Sequence, residues 1–192
     1  MSKLEIVLAS SSKIRRDIIS NYAVDVIFCD PDINEEQLKQ DNLNLNPRSI
    51  ATLLAKSKAL SLADKFSEKF ILGCDQICIF DDKIMSKPLN EDKAISNLKE
   101  LSGNTHYLFG AYCVSKGNEI IIKHQIECEM EMRNLTDNEI EEYVALDKPL
   151  ESCGSYKFEA NGFKLFKSVV GSLEAINGLP FADLKELIDA KL

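Results

Sequence analysis

Apolar residues fall along this chain in two rhythms, short unbroken runs and clusters spaced three or four apart. Their alternation predicts strands separated by helices. Ile6-Val7-Leu8-Ala9 reads as a strand and Ser10-Ser11-Ser12 as a tight loop. Residues 13–21, with Ile14, Ile18 and Ile19 at helical spacing, read as a helix with Ser12 at its N-cap. A second strand is predicted over 24–29, ended by Asp30-Pro31, and an acidic stretch with Glu35 and Glu36 follows. Asn46-Pro47 opens a helix running to about residue 64, whose apolar face carries Ile50, Leu53, Leu54 and Leu60.

The run 70–75 predicts a buried strand that ends in a carboxylate, Asp75, followed by 77–80 and a turn at Asp81-Asp82. Lys87-Pro88 precedes a helix over 91–101. Segments 105–115 and 119–132 flank Lys116-Gly117-Asn118 and predict two long strands in a hairpin. Thr136 and Glu139 form a capping box for a helix ending near Leu146. The rest is rich in glycine, with Gly154, Gly162, Gly171 and Gly178-Leu179-Pro180, before a last helix from about Ala182. Early strands joined by helical crossovers and a later hairpin argue for an α/β layered domain with a mixed sheet.

Composition narrows this picture. A chain of 192 residues with 45% hydrophobic and 28% charged residues fits one domain over 1–192, in one or two lobes. A net charge of −8 disfavours nucleic-acid and membrane-surface partners, which call for a basic footprint, so a phosphate site must be built locally. Only four consecutive apolar residues follow Met1-Ser2-Lys3-Leu4-Glu5, too few for a signal core or a membrane span, and a cytoplasmic address is expected. The six cysteines lie mostly in apolar segments with no Cys-x-x-Cys pair, which favours buried free thiols over a zinc site.

Chemistry concentrates at few positions. The serine loop before the first helix gathers hydroxyls and unpaired amides where the helix dipole favours an anion, and Arg15 can share a side with Ser12. A capped helix with exposed arginines serves the same spacing. Glycine-rich phosphate motifs are absent from the sequence. Asp75 is the most informative carboxylate, because open α/β sheets bind ligands beyond the carboxyl ends of their strands; a turn-forming aspartate is the alternative. Glu35 could equally sit in a solvated acidic turn, and Lys58 and Lys87 could neutralise phosphate or remain solvated surface. His106 and His124 have no metal-ligand spacing and read as structural.

Taken in order, Leu8-Ala9-Ser10-Ser11-Ser12-Lys13-Ile14-Arg15-Arg16, Leu54-Ala55-Lys56-Ser57-Lys58-Ala59, Gly73-Cys74-Asp75-Gln76, Lys87-Pro88, Leu101-Ser102-Gly103-Asn104-Thr105-His106, Gly154-Ser155-Tyr156 and Gly178-Leu179-Pro180 resemble the Maf family of nucleotide pyrophosphatases over nearly the whole chain. The resemblance implies an elongated mixed sheet flanked by helices with a nucleotide cleft, often in a homodimer. It implies hydrolysis of a nucleoside triphosphate to monophosphate and pyrophosphate with a divalent metal, Mg²⁺ or Mn²⁺. By the same resemblance Ser12 and Arg15 belong to the phosphate loop, Glu35 to a metal-associated acidic turn, and Lys58 and Lys87 are the cleft lysines. Asp75 corresponds to the general base and a metal ligand. Ile14, Gln76 and Glu159 fall at positions that vary with the base: arginine, threonine and glutamine in pyrimidine enzymes, tryptophan, glutamine and glutamate in 7-methyl-GTP enzymes. Lys13 stands where a proline is usual and Asn34 where an aspartate is. A competing reading is a noncatalytic nucleotide-binding regulator linked to cell division.

Overall fold

The computed structural model of the protein describes residues 4–191; the opening Met1-Ser2-Lys3 lies outside them. Strand β1 (Glu5–Ala9) leads through α1 (Lys13–Ser20) to β2 (Asp25–Cys29), then α2 (Glu35–Gln40), α3 (Pro47–Leu60), β3 (Phe70–Phe80) and β4 (Lys83–Met85). Next come α4 (Glu91–Leu101), β5 (Thr105–Lys116), β6 (Glu119–Met132), α5 (Asp137–Asp147), β7 (Phe166–Val170), α6 (Leu173–Ile176) and α7 (Phe181–Asp189). A mixed seven-stranded sheet runs in the order β2-β1-β3-β5-β6-β7, with β4 paired to β3. The first three strands are parallel, as strands joined by helical crossovers must be here.

Residues 4–75, 110–126 and 173–191 make one compact unit, and 76–109 with 127–172 make a second. The first buries one core on each face of its sheet. Ile6, Leu8, Leu72 and Cys74 pack with Ile18 and Ile19 of α1 and with Leu184 and Ile188 of α7. Val7, Ala9 and Ile71, of opposite parity, pack with Leu62 beyond α3. That parity puts Gly73 and Asp75 on the α3 face. In the second unit Leu98, Leu101, Met130, Met132, Ile140 and Val144 are almost fully buried, and the Tyr156 and Phe166 rings meet edge to face at 4.8 Å.

One expectation is corrected. β3 does not stop at Asp75 but continues to Phe80, because Ile77, Cys78 and Ile79 are buried and the strand folds back onto β4. Asp81 and Asp82 make that turn with φ of 49° and 58°, the left-handed geometry a two-residue hairpin requires.

Candidate active site

In the first unit the chain leaves β1 on one side for β2 and on the other for β3. That reversal makes a switch point, where α/β sheets leave a crevice outside the strand ends. Ala9 closes β1 opposite Gly73, so Cys74 and Asp75 run past the carboxyl end of the neighbouring strand. Asp75 therefore occupies a strand end, but its neighbour's and not its own.

Gly73 sets what faces Asp75. A Cβ on it would lie 2.2 Å from the Ala55 carbonyl oxygen and 2.5 Å from the Ala59 nitrogen, so only glycine lets α3 come this close. The adjoining Lys58 then reaches over the strand, and its Nζ donates to Asp75 Oδ1 at 2.8 Å and pairs with Glu35 Oε1 at 3.0 Å. Lys58 and Asp75 are 6% and 7% exposed, so their charges must be paired to stay ionised. Glu35 is the first residue of α2, and Asn34 caps that helix by accepting from the Gln37 amide at 3.0 Å. Asparagine caps as well as aspartate, which accounts for its fitness at this position.

The serine loop is organised differently from the expectation. Ser12 stands at the N-cap of α1, yet its side chain makes no capping bond. Buried Ser10 takes the Ser12 amide on its Oγ at 3.2 Å instead. Arg15 donates from Nε to the Gly178 carbonyl at 2.9 Å and from Nη1 to the Cys74 carbonyl at 3.1 Å, which ties the start of α1 to the strand that carries Asp75. Two bonds leave most of its five donors for other acceptors. Arg16, which sequence reasoning placed only in a motif, clamps the Ser10 carbonyl with Nε and Nη2 at 3.0 and 2.8 Å and pairs with Asp30 at 2.6 Å. The neighbouring Asp30-Pro31 turn was the only hint of that tie. The start of α1 has no acidic residue in its first turn, so Lys13, Arg15 and Arg16 reinforce its positive pole.

The remaining candidates belong to both units. Ile14 packs half-buried against the first unit's core. In the second unit exposed Lys87 pairs with Glu151 at 3.5 Å, a contact water opens easily. Gln76 follows Asp75 along β3, where its Oε1 lies 4.0 Å from Cys153 Sγ. Glu159 is exposed on a turn held by Tyr143, which accepts from the Lys157 amide, and by Asp147, which accepts from the Asn161 amide. His106 is fully buried and its Nε2 lies 2.9 Å from the Tyr156 hydroxyl, while Nδ1 has no partner among the described residues. Burial pushes its pKa down to about 4. All six cysteines are free, four of them buried.

Glu35 and Asp75 converge on one cationic atom, and two carboxylates meeting at a point are a donor set that could hold Mg²⁺ or Mn²⁺. Among the described residues no group of three or more His, Cys, Asp or Glu gathers for a metal. No helix of the described residues is long and apolar enough to cross a membrane.

Residues 5–191 match the family described as Maf-like protein. The chain is 35% identical over 179 residues to the nucleoside triphosphate pyrophosphatase of Legionella pneumophila (strain Philadelphia 1), covering 93% of this chain and 90% of that one. It is 35% identical over 190 residues to the 7-methyl-GTP pyrophosphatase of Bdellovibrio bacteriovorus, covering 98% of each. To the dTTP/UTP pyrophosphatase of Pyrococcus furiosus it is 34% identical over 185 residues, covering 96% of this chain and 94% of that one.

Proposed function

This chain belongs to the Maf-like family, and from that premise we propose that it hydrolyses nucleoside triphosphates to the monophosphate and pyrophosphate. The observation that carries the reading is the Glu35–Lys58–Asp75 cluster, with Lys58 and Asp75 buried and Glu35 partly exposed, at the switch point beside the serine loop. Asp75 accepts the proton of the attacking water on its carboxylate. The α1 amides, Ser12 and the unused donors of Arg15 take phosphate oxygens, and Lys58 and Lys87 add charge to the same task. A divalent metal held by Glu35 and Asp75 would, when bound, offset charge on the polyphosphate.

Similarity does not choose the base, since relatives named for 7-methyl-GTP and for dTTP/UTP are 35% and 34% identical to the chain. We read the choice from Glu159, which favours a guanine-like base, while Ile14 lacks the aromatic face that would stack on a cationic methylated one. Product chromatography tests the reaction. With Mg²⁺ or Mn²⁺ a triphosphate should yield monophosphate and pyrophosphate with no diphosphate accumulating. Stepwise release of orthophosphate would defeat the reading, and nucleotide binding without turnover would favour a regulator.

A further inference from the structure

The proposed reaction asks Lys58 to meet phosphate, yet its ammonium lies between two carboxylates, 2.8 Å from Asp75 and 3.0 Å from Glu35. The backbone beneath it cannot come closer to the strand, because α3 already rests on Gly73. Rotation about the four-carbon stem is the motion by which its ammonium can leave the carboxylates. We propose that Lys58 is a placeholder cation. In the nucleotide-free protein it neutralises Glu35 and Asp75 and keeps a divalent metal out, and it yields that position only when a triphosphate supplies negative charge for it to turn to. The inference rests on the pyrophosphatase reading and concerns the order of binding: nucleotide comes before the metal or with it.

Charge arithmetic gives the reason. Two carboxylates and one ammonium sum to −1, so the cluster is nearly balanced as it stands. A dication entering beside the ammonium would bring the sum to +1 around Lys58 and Asp75, which are largely closed to water although Glu35 is partly exposed, and there like charges a few ångströms apart repel strongly. A triphosphate brings about four negative charges and reverses the balance. Of the nearby arginines, Arg16 is neutralised by Asp30, while Arg15, held by two uncharged carbonyls, adds positive charge and so does nothing to ease the entry of a dication. Removing the ammonium leaves two converging carboxylates at −2, which should take a dication unaided.

Mn²⁺ binding, read from the electron paramagnetic resonance of the free ion, tests this with and without a triphosphate analogue that cannot be cleaved between its α and β phosphates. After subtraction of Mn²⁺ held by the analogue itself, the wild-type protein should bind Mn²⁺ at least about tenfold more tightly when the analogue is present. Lys58→Gln should bind Mn²⁺ without analogue about tenfold more tightly than wild type, and adding Asp75→Asn should remove that gain. Lysine side-chain nitrogen NMR on the wild-type protein asks the same question without a variant. The buried Lys58 resonance should stay in place with Mg²⁺ alone and move when analogue and Mg²⁺ are both present. Equal Mn²⁺ affinity with and without analogue, or a Lys58 resonance that moves on Mg²⁺ alone, overturns the placeholder. Pyrophosphate release measured on the same preparation separates the two levels: release with equal affinities leaves the reaction standing and removes the placeholder. No release from any triphosphate removes both.

Discussion

At the scale of single residues, Asp75 carries the most. Asparagine keeps its shape and still offers an oxygen to Lys58, while Glu35 continues to pair with that ammonium, so Asp75→Asn should cost no more than about 1–3 kcal/mol of stability. Turnover should fall about a hundredfold or more, because an amide cannot accept the proton of water. Thermal melting beside steady-state kinetics checks both, and near-native turnover would make Asp75 structural. Glu159 offers a separate test. Its turn is fixed at both ends by hydrogen bonds to α5, so a substitution at the exposed tip should leave the fold alone. A carboxylate accepts the adjacent N–H donors of guanine together, whereas uracil and thymine offer one N–H flanked by carbonyls. Glu159→Gln should narrow the gap in kcat/KM between GTP and UTP several-fold without altering the products, and an unchanged ratio would place base reading elsewhere. Asp75 stood out in the sequence as a carboxylate ending an apolar run, and Glu159 entered only through the family resemblance, but the tie of Asp75 to Lys58 was not legible. Two residues 17 apart meet only because a crossover helix lands on a glycine, and no local pattern reports that.

At the scale of elements, those with a buried run, an amphipathic stripe or a capping signal were legible and those without were not. α5 announced itself by Thr136 and Glu139, which form the reciprocal capping box in the structure, and the β5–β6 pair by the Gly117-Asn118 turn. β4 has three residues, too few to show a rhythm, and β7 is exposed along most of its length, so no buried run marks it. α2 has six residues and none of them buried, so no amphipathic stripe marks it. β3 was read as broken at Asp75 because aspartate and glycine signal turns, yet burial on both sides and pairing with β4 carry the strand through. Its contact with α3 yields a prediction. Gly73→Ala would force a Cβ into backbone atoms that cannot rotate away, so α3 must lift, at a cost of about 1–3 kcal/mol. Lifting α3 also draws Lys58 off Asp75. The variant should therefore melt some 3–10 °C lower and lose turnover beyond what its unfolded fraction explains. A melting loss with native turnover per folded molecule would show that the helix position does not set the cluster.

At the scale of the whole molecule, stability should depend on pH through a group outside the proposed chemistry. His106 is fully buried beside Tyr156 and Phe166, with one ring nitrogen near the tyrosine hydroxyl and the other without a partner among the described residues. Among the described residues no carboxylate offsets a proton on the ring, so that proton would be an uncompensated buried charge, and burial holds the pKa down at about 4 against an ordinary 6.5. The folded protein therefore keeps this ring neutral over a range in which the unfolded chain takes up a proton. The sign follows: the contribution is fully present above pH 6.5 and is lost as pH falls towards 4, and it amounts to about 3 kcal/mol. Denaturant unfolding at several pH values should show stability falling through that window in the wild-type protein. Carboxylates contribute mainly at lower pH, so the upper half of the window belongs chiefly to histidine. The chain has two histidines, so a His124→Gln variant leaves His106 as the one ring signal in a proton NMR titration. That signal should remain in its neutral position down to about pH 4. A ring that titrates near 6.5 in the folded protein would mean that water reaches it, and the stability slope between pH 6.5 and 5 should then be absent.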